Sequence, residues 1–307
     1  MYCFHPVKAW YGNKLASGKR EIVFSSGQAQ SCLTLDIPCR TCVGCRLEHA
    51  RQWAMRCMDE ASLYAENSFI TLTFSPAVLA KRGNGLDVRD FQLFMKRLRK
   101  FSGGQMIRFF HCGEYGSKHF RPHYHALLFN YGFPDRVYLK HSKAGFPVFR
   151  SPSLEANWKF GFSSCTDVTF GAAAYVARYH IKKVGTVVSD NHFVNPRTGE
   201  MLPPEYTTMS RGSKARGTGG IGKGWYEKFK SDVYPRDSRV IKGVDTKPPR
   251  YYDALYEKDS PELFASLKLD RMVNASARKE DNTEERLLVK EKVKLAQLAS
   301  LSCSLED

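Results

Sequence analysis

Two apolar runs, residues 106–114 and 123–130, constrain the fold of this chain more than any other feature. The segment between them, Tyr115 to Pro122, is rich in Gly and charge, as a turn should be. Strands joined this closely pair antiparallel. The other elements are mixed. Residues 69–74 (FITLTF) read as a strand, with Ile70, Leu72 and Phe74 on the core face and Thr71 and Thr73 on the other. Leu47, Ala50, Ala54, Cys57, Ala61 and Tyr64 recur at helical spacing, and so do Phe91, Phe94, Leu98 and Phe101 after an N-cap at Asp87. A short helix is expected over 153–160, a strand over 162–168 and a helix over 172–184. Residues 1–45, the stretch with Pro76 and Gly83-Asn84-Gly85, and residues 185–224 read as loop. From Pro261 onward the chain is mostly helix-forming. Without regular β-α-β alternation, the expected class is α+β, a central antiparallel sheet with flanking helices.

The 307 residues carry 47 Lys+Arg against 31 Asp+Glu, a net charge of +16. Such a charge concentrates polyanions, so nucleic acid or an anionic membrane is the expected partner class. No run of about 18 apolar residues argues for a spanning helix. The N-terminus lacks a secretory h-region, so a cytoplasmic location is expected.

The sharpest chemical signal is Pro122-His123-Tyr124-His125 at the start of an apolar strand. Alternation sends His123 and His125 to one face. In a hairpin, Glu114 comes near them, and two imidazoles with a carboxylate leave open positions on a divalent ion for phosphate oxygens. Downstream, Tyr175, Tyr179 and Lys182 share one helical face. A phenolate attacks phosphorus when a metal or cation activates it, and the lysine would bind the phosphate. Each motif also has a plain packing explanation.

Cys39, Cys42 and Cys45 offer three thiolates in one short segment, a spacing that favours tetrahedral zinc. For the fourth ligand the residues leave Cys3, Cys32, Cys57, His5 and His49 open. Gly217 to Gly224 formally contains GxGxxG and GxxxxGK, but no strand precedes it and Gly224 replaces the Ser or Thr a phosphate loop needs. Arg211, Lys214, Arg216 and Lys223 make this stretch either a flexible basic loop on the DNA backbone or a solvated linker. Arg97, Lys100, Arg121 and Lys183 complete the expected DNA-binding cations.

Together, FITLTF, IRFFHCGEYG, RPHYHALLF, YVARYHIKK and PCRTCVGCRLEHARQWAMRCMDE resemble the HUH endonuclease superfamily. The closer resemblance is to replication initiators of microviruses, the gokushovirus-like branch of single-stranded DNA phages. The likeness runs from Cys3 to Tyr234. It implies the HUH fold, Mg²⁺ or Mn²⁺ at His123 and His125 with Glu114 as third ligand, and Tyr175 and Tyr179 as nucleophiles. It also implies Cys3 as the fourth zinc ligand. The implied activity is site-specific nicking and strand transfer on single-stranded DNA at an origin, through a 5′-phosphotyrosine, in the bacterial host cytoplasm. Host DNA polymerase and helicase are implied partners, and no membrane is. The expected organisation is a zinc-binding segment and helix over 1–66, a nuclease domain over 67–235 and a partly helical extension over 236–307. The alternatives are a non-catalytic, zinc-stabilised DNA-binding protein and a phosphate-loop ATPase.

Overall fold

The structure, a computed structural model, describes residues 2–16, 18–116, 119–142, 145–179, 192–213, 217–241 and 243–300, with only the backbone of Arg178 and Tyr179. The chain divides into two units. One takes residues 1–48 and 270–302, the other residues 49–269 and 303–307.

In the first unit, β1 (Val7–Lys14) pairs antiparallel with β2 (Arg20–Val23) and β3 (Thr34–Ile37) in the order β2-β1-β3. This corrects the reading of residues 1–45 as loop. The strands are short and mostly exposed, so they lack the apolar alternation that makes a strand legible. Helix α1 (Val43–Ala61) then leads into the second unit.

The second unit continues with β4 (Asn67–Phe74), α2 (Pro76–Arg82), α3 (Val88–Phe101), β5 (Arg108–Tyr115), β6 (Pro122–Phe129), β7 (Val137–His141), β8 (Pro147–Arg150), α4 (Pro152–Asn157), β9 (Gly161–Thr166) and α5 (Phe170–Tyr179). After it come β10 (Phe193–Val194), β11 (Met201–Leu202), β12 (Tyr206–Met209), α6 (Lys223–Val233), β13 (Arg239–Ile241), β14 (Val244–Thr246) and α7 (Arg250–Asp259). Helix α8 (Pro261–Ser276) begins here and ends in the first unit, which also holds α9 (Glu284–Ser300).

Seven strands form one sheet in the order β12-β5-β6-β4-β9-β8-β7, every pairing antiparallel. The expected α+β class with a large antiparallel sheet and flanking helices is what the chain adopts. Asp87 caps α3 as expected, its side chain accepting from the Arg89 amide at 2.8 Å. Two loop readings are corrected. Residues 76–82 form α2, because Ser75 caps it and Pro76 suits a first helical turn. Residues 206–209 form the edge strand β12, a short β-prone run hidden among Pro, Gly and basic residues.

The sheet is covered on both faces. On one, Ile70, Leu72, Phe74, Tyr124 and Leu128 pack with Phe91, Phe94 and Leu98 of α3 and with Trp158. On the other, Phe69, Phe110, Cys112 and Leu127 pack with Ala50 and Ala54 of α1 and with Ala172, Ala173, Tyr175 and Val176 of α5. The alanines of α5 matter for the site, since small side chains let a helix approach a sheet closely.

Candidate metal centre and groove

The hairpin expected from the two apolar runs sets the site. In the β5–β6 register Glu114 lies opposite His123 and Cys112 opposite His125, so Glu114, His123 and His125 share the α5 face of the sheet. One ligand atom from each lies within 4.8 Å of the others. The Nε2 atoms of His123 and His125 stand 3.0 and 2.8 Å from the same Glu114 oxygen, Oε1. Tyr175, on α5, donates its phenolic hydrogen to that oxygen at 3.0 Å. The Tyr175 and His125 rings meet edge to face at 5.2 Å, and Phe69 stacks on the other side of His125 at 5.5 Å.

Both imidazoles are oriented from behind. His123 Nδ1 donates to the Arg121 carbonyl at 3.1 Å, and His125 Nδ1 bonds the Thr71 hydroxyl at 3.0 Å. Their Nε2 atoms are therefore the ones turned to the carboxylate. Glu114 is fully buried. Burial alone would push its carboxyl up. The neighbouring imidazoles of His125 and His123 more than offset this and hold it well below the usual carboxylate range. Its second oxygen, Oε2, is buried without a hydrogen-bond partner among the described residues. Two nitrogen lone pairs and a buried carboxylate converging on one point call for a positive centre between them. The donor set suits a divalent ion.

A groove of about 630 Å³ opens over the cluster. Thr71, Thr73, Arg121, His123, His125 and Ser164 are among its walls.

The expected cations fall into separate places. Arg121 lines the groove and donates to the Phe74 carbonyl at 2.6 Å. Arg97 and Lys100 are on α3, which covers the opposite face of the sheet, and Arg97 Nε donates to the Asn157 carbonyl at 2.9 Å. These two are not brought to the histidines. Arg211 is exposed just beyond β12, and Lys223 opens α6, paired with Glu227 at 2.6 Å. Lys182, Lys183, Lys214 and Arg216 lie outside the described residues. The Tyr179 backbone ends α5, one turn after Tyr175. Thr71 went unread as a partner of His125, although the alternation of FITLTF had already put it on the right face.

The glycine-rich stretch is neither a flexible loop nor a solvated linker. Ile221 is buried, its carbonyl accepts from Arg56, the Gly219 carbonyl accepts from Arg108, and the Gly222 amide donates to Glu60 at 2.7 Å. That amide is satisfied within the protein, which argues against a phosphate cradle there.

In the first unit, Cys3, Cys39, Cys42 and Cys45 gather with their sulfurs within 4.8 Å of one another. Cys3 Sγ is 3.6 Å from Cys39 and 4.0 Å from Cys42, and Cys39 is 3.9 Å from Cys45. No pair approaches the ~2.05 Å of a disulfide. Backbone amides of Cys39, Cys42 and Cys45 donate to the sulfurs of Cys3, Cys39 and Cys42. Burial raises the Cys39 thiol, but the Thr41 hydroxyl and the Cys42 and Thr41 amides outweigh it and bring it down to about 6. Gly44 is required, because any Cβ there would overlap the Tyr2 carbonyl.

The family of replication-associated proteins typified by ORF2 matches residues 67–184, which span β4 to α5. Replication-associated protein VP4 of Bdellovibrio phage phiMH2K is 32% identical over 273 residues, covering 86% of this chain and 80% of that protein. Replication-associated protein ORF2 of Spiroplasma virus 4 is 32% identical over 239 residues, 74% of this chain and 70% of its own length. Replication-associated protein ORF4 of Chlamydia phage 1 is 28% identical over 231 residues, 72% of this chain and 54% of that protein. No solved structure matches. No helix among the described residues is long and apolar enough to cross a membrane. The site therefore lies within the segment matched by the family, and the chain belongs to the replication-associated proteins of microviruses.

Proposed function

We propose that the protein is an HUH-type, metal-dependent tyrosine endonuclease that nicks single-stranded DNA at an origin and starts rolling-circle replication. The observation that carries this reading is the Tyr175 hydroxyl, 3.0 Å from the Glu114 oxygen that His123 and His125 also approach. A buried phenol aimed at a candidate metal centre has no packing purpose that a phenylalanine would not serve. A divalent ion, Mg²⁺ or Mn²⁺, held by His123, His125 and Glu114 would polarise the scissile phosphate and offset its charge.

The residues then divide the work. Glu114 holds the Tyr175 phenol in place through its hydrogen bond. The phenolic oxygen forms a new bond to phosphorus while the bond from phosphorus to the 3′ oxygen breaks. The 3′ oxygen leaves and takes up a proton, which balances the one the phenol gives up. One phosphodiester is exchanged for another, so no nucleotide cofactor is consumed. Tyr179, on the same helical face, is assigned to a second transfer and Lys182 to the phosphate. Thr71 and the Arg121 carbonyl orient the histidines. Arg121 borders the groove that would receive the strand. Extension from the free 3′ end and unwinding would fall to the host polymerase and helicase, in the host cytoplasm.

For the four cysteines we propose a structural zinc. A tetrahedron with ~2.3 Å metal–sulfur bonds has edges of about 3.8 Å, and sulfur separations of 3.6, 3.9 and 4.0 Å bracket it. Such a site has no position left for substrate.

The test is a covalent adduct. With origin-type single-stranded DNA and Mn²⁺, a protein–DNA band should survive a denaturing gel. EDTA should abolish it, Tyr175→Phe/Tyr179→Phe should lose it, and His123→Ala should weaken it. An adduct that persists in the double tyrosine variant overturns the assignment.

A further inference from the structure

Beyond the metal cluster, the groove has features that phosphoryl transfer does not use. The strand register lays its floor out in rows. One row across β5, β6, β4 and β9 is Glu114, His123, Thr73 and Phe162, and the next is Cys112, His125, Thr71 and Ser164. Phe162 is thus on the histidine face, two strands or about 10 Å from His123, and it is 65% exposed. A second phenylalanine, Phe146, lines the groove wall and is 46% exposed. The pairing of Phe149 with Cys165 carries Phe146 toward the opposite end of β9, where Asp167 and Thr169 also line the groove. One exposed aromatic ring therefore stands at each end, with the histidines between them. Lys140, opposite Val148 on β7, lines the Phe146 side and is exposed. The acid on this wall, Asp167, is tied to Arg136 at 2.7 Å.

Singly exposed apolar residues are ordinary. The position of these two is not, because both border a groove floored with Thr and Ser hydroxyls and edged by Arg121 and Lys140. Cations that follow a phosphate backbone, combined with open aromatic faces, are what unpaired nucleobases require, since every base has a face to stack. A duplex hides those faces.

We propose that Phe146 and Phe162 are stacking stations for unpaired bases of single-stranded DNA on the two sides of the scissile phosphate, with Lys140 binding a backbone phosphate on the Phe146 side. The location of the scissile bond rests on the nuclease reading. The affinity for unpaired bases is tested without it.

The probes are a fluorescein-labelled thymidine 12-mer and an abasic 12-mer with the same number of phosphates, titrated by anisotropy in EDTA so that binding alone is read. The wild-type protein should bind the thymidine strand at least about tenfold more tightly. Phe146→Leu and Phe162→Leu keep apolar bulk and remove the ring. Each should cost about tenfold on the thymidine strand and leave the abasic strand unchanged, while Phe146→Trp and Phe162→Trp should retain affinity. Lys140→Ala should weaken both strands and reduce the slope of log K against log salt by about 0.7. Thymidine and abasic strands bound equally by the wild type, or leucine variants that affect both strands alike or neither, overturn the proposal. The adduct assay stands apart. If Tyr175→Phe/Tyr179→Phe still forms adduct, the nuclease reading fails and the stacking result is untouched.

Discussion

His111 and His125 show how completely the face of a sheet decides what a residue does. They occupy the paired strands β5 and β6, yet His111 turns to the α3 side. It is fully buried, stacked on Phe91 at 3.5 Å, with Nδ1 3.0 Å from the Thr208 hydroxyl. Burial, and secondarily the charge of His125, hold its pKa well below the ordinary histidine value. The unfolded chain therefore binds a proton that the native protein refuses. The stability from this neutral imidazole is fully present above about pH 6.5 and declines as pH falls below it. In urea unfolding, wild type should lose stability relative to His111→Leu between about pH 7.5 and 5. Parallel pH profiles for the two proteins would contradict this. For His125, the decisive neighbour is Thr71. Thr71→Val keeps shape and removes the hydroxyl, so Mn²⁺ affinity measured by calorimetry should fall about tenfold with little change in melting temperature. Unchanged affinity would mean that Thr71 does not orient the ring.

Among the elements, α1 and the turn into α6 are joined by one carboxylate. Glu60 accepts from Arg108 at 2.7 Å with one oxygen and from the Gly222 amide at 2.7 Å with the other. Gly222 has φ +82°, and a Cβ there would crowd the Tyr252 hydroxyl at 2.5 Å. Glu60 is fully buried and Arg108 nearly so. Removing one partner strands a buried charge, a change that costs about 3–5 kcal/mol, whereas an exposed pair is worth under ~1 kcal/mol. Glu60→Ala should therefore lower unfolding free energy by about 3–5 kcal/mol. Lys223→Ala, which breaks the exposed pair with Glu227, should cost under ~1 kcal/mol. Similar urea midpoints for the two variants would refute this ordering.

For the whole molecule, the two units rest on different physics. The second has an apolar core on both faces of its sheet. The first has a small cluster built on Cys3, Phe4, Cys42 and Cys45, and short, largely exposed strands. A core that small needs a staple, and metal binding would supply it. A strong zinc chelator should strip hydrogen-exchange protection from residues 2–48 while leaving residues 108–129 protected, with about one equivalent of zinc released. Uniform protection after chelation would place the stability of the first unit elsewhere.

Local chemistry made much of this protein readable in one dimension. Period-two alternation identified β4, β5 and β6, and because the side-chain period of a strand is fixed, it also placed both histidines and Glu114 on one face. Cysteine spacing marked three of the four clustered sulfurs. Residues whose roles depend on partners distant in the chain were not readable. Thr208 against His111, Glu60 against Gly222 and the turn of Phe146 into the groove arise only when β12, α1 and the β7–β8 hairpin pack in three dimensions. Alternation tells which way a side chain points from its own strand, and only tertiary packing decides what it meets there.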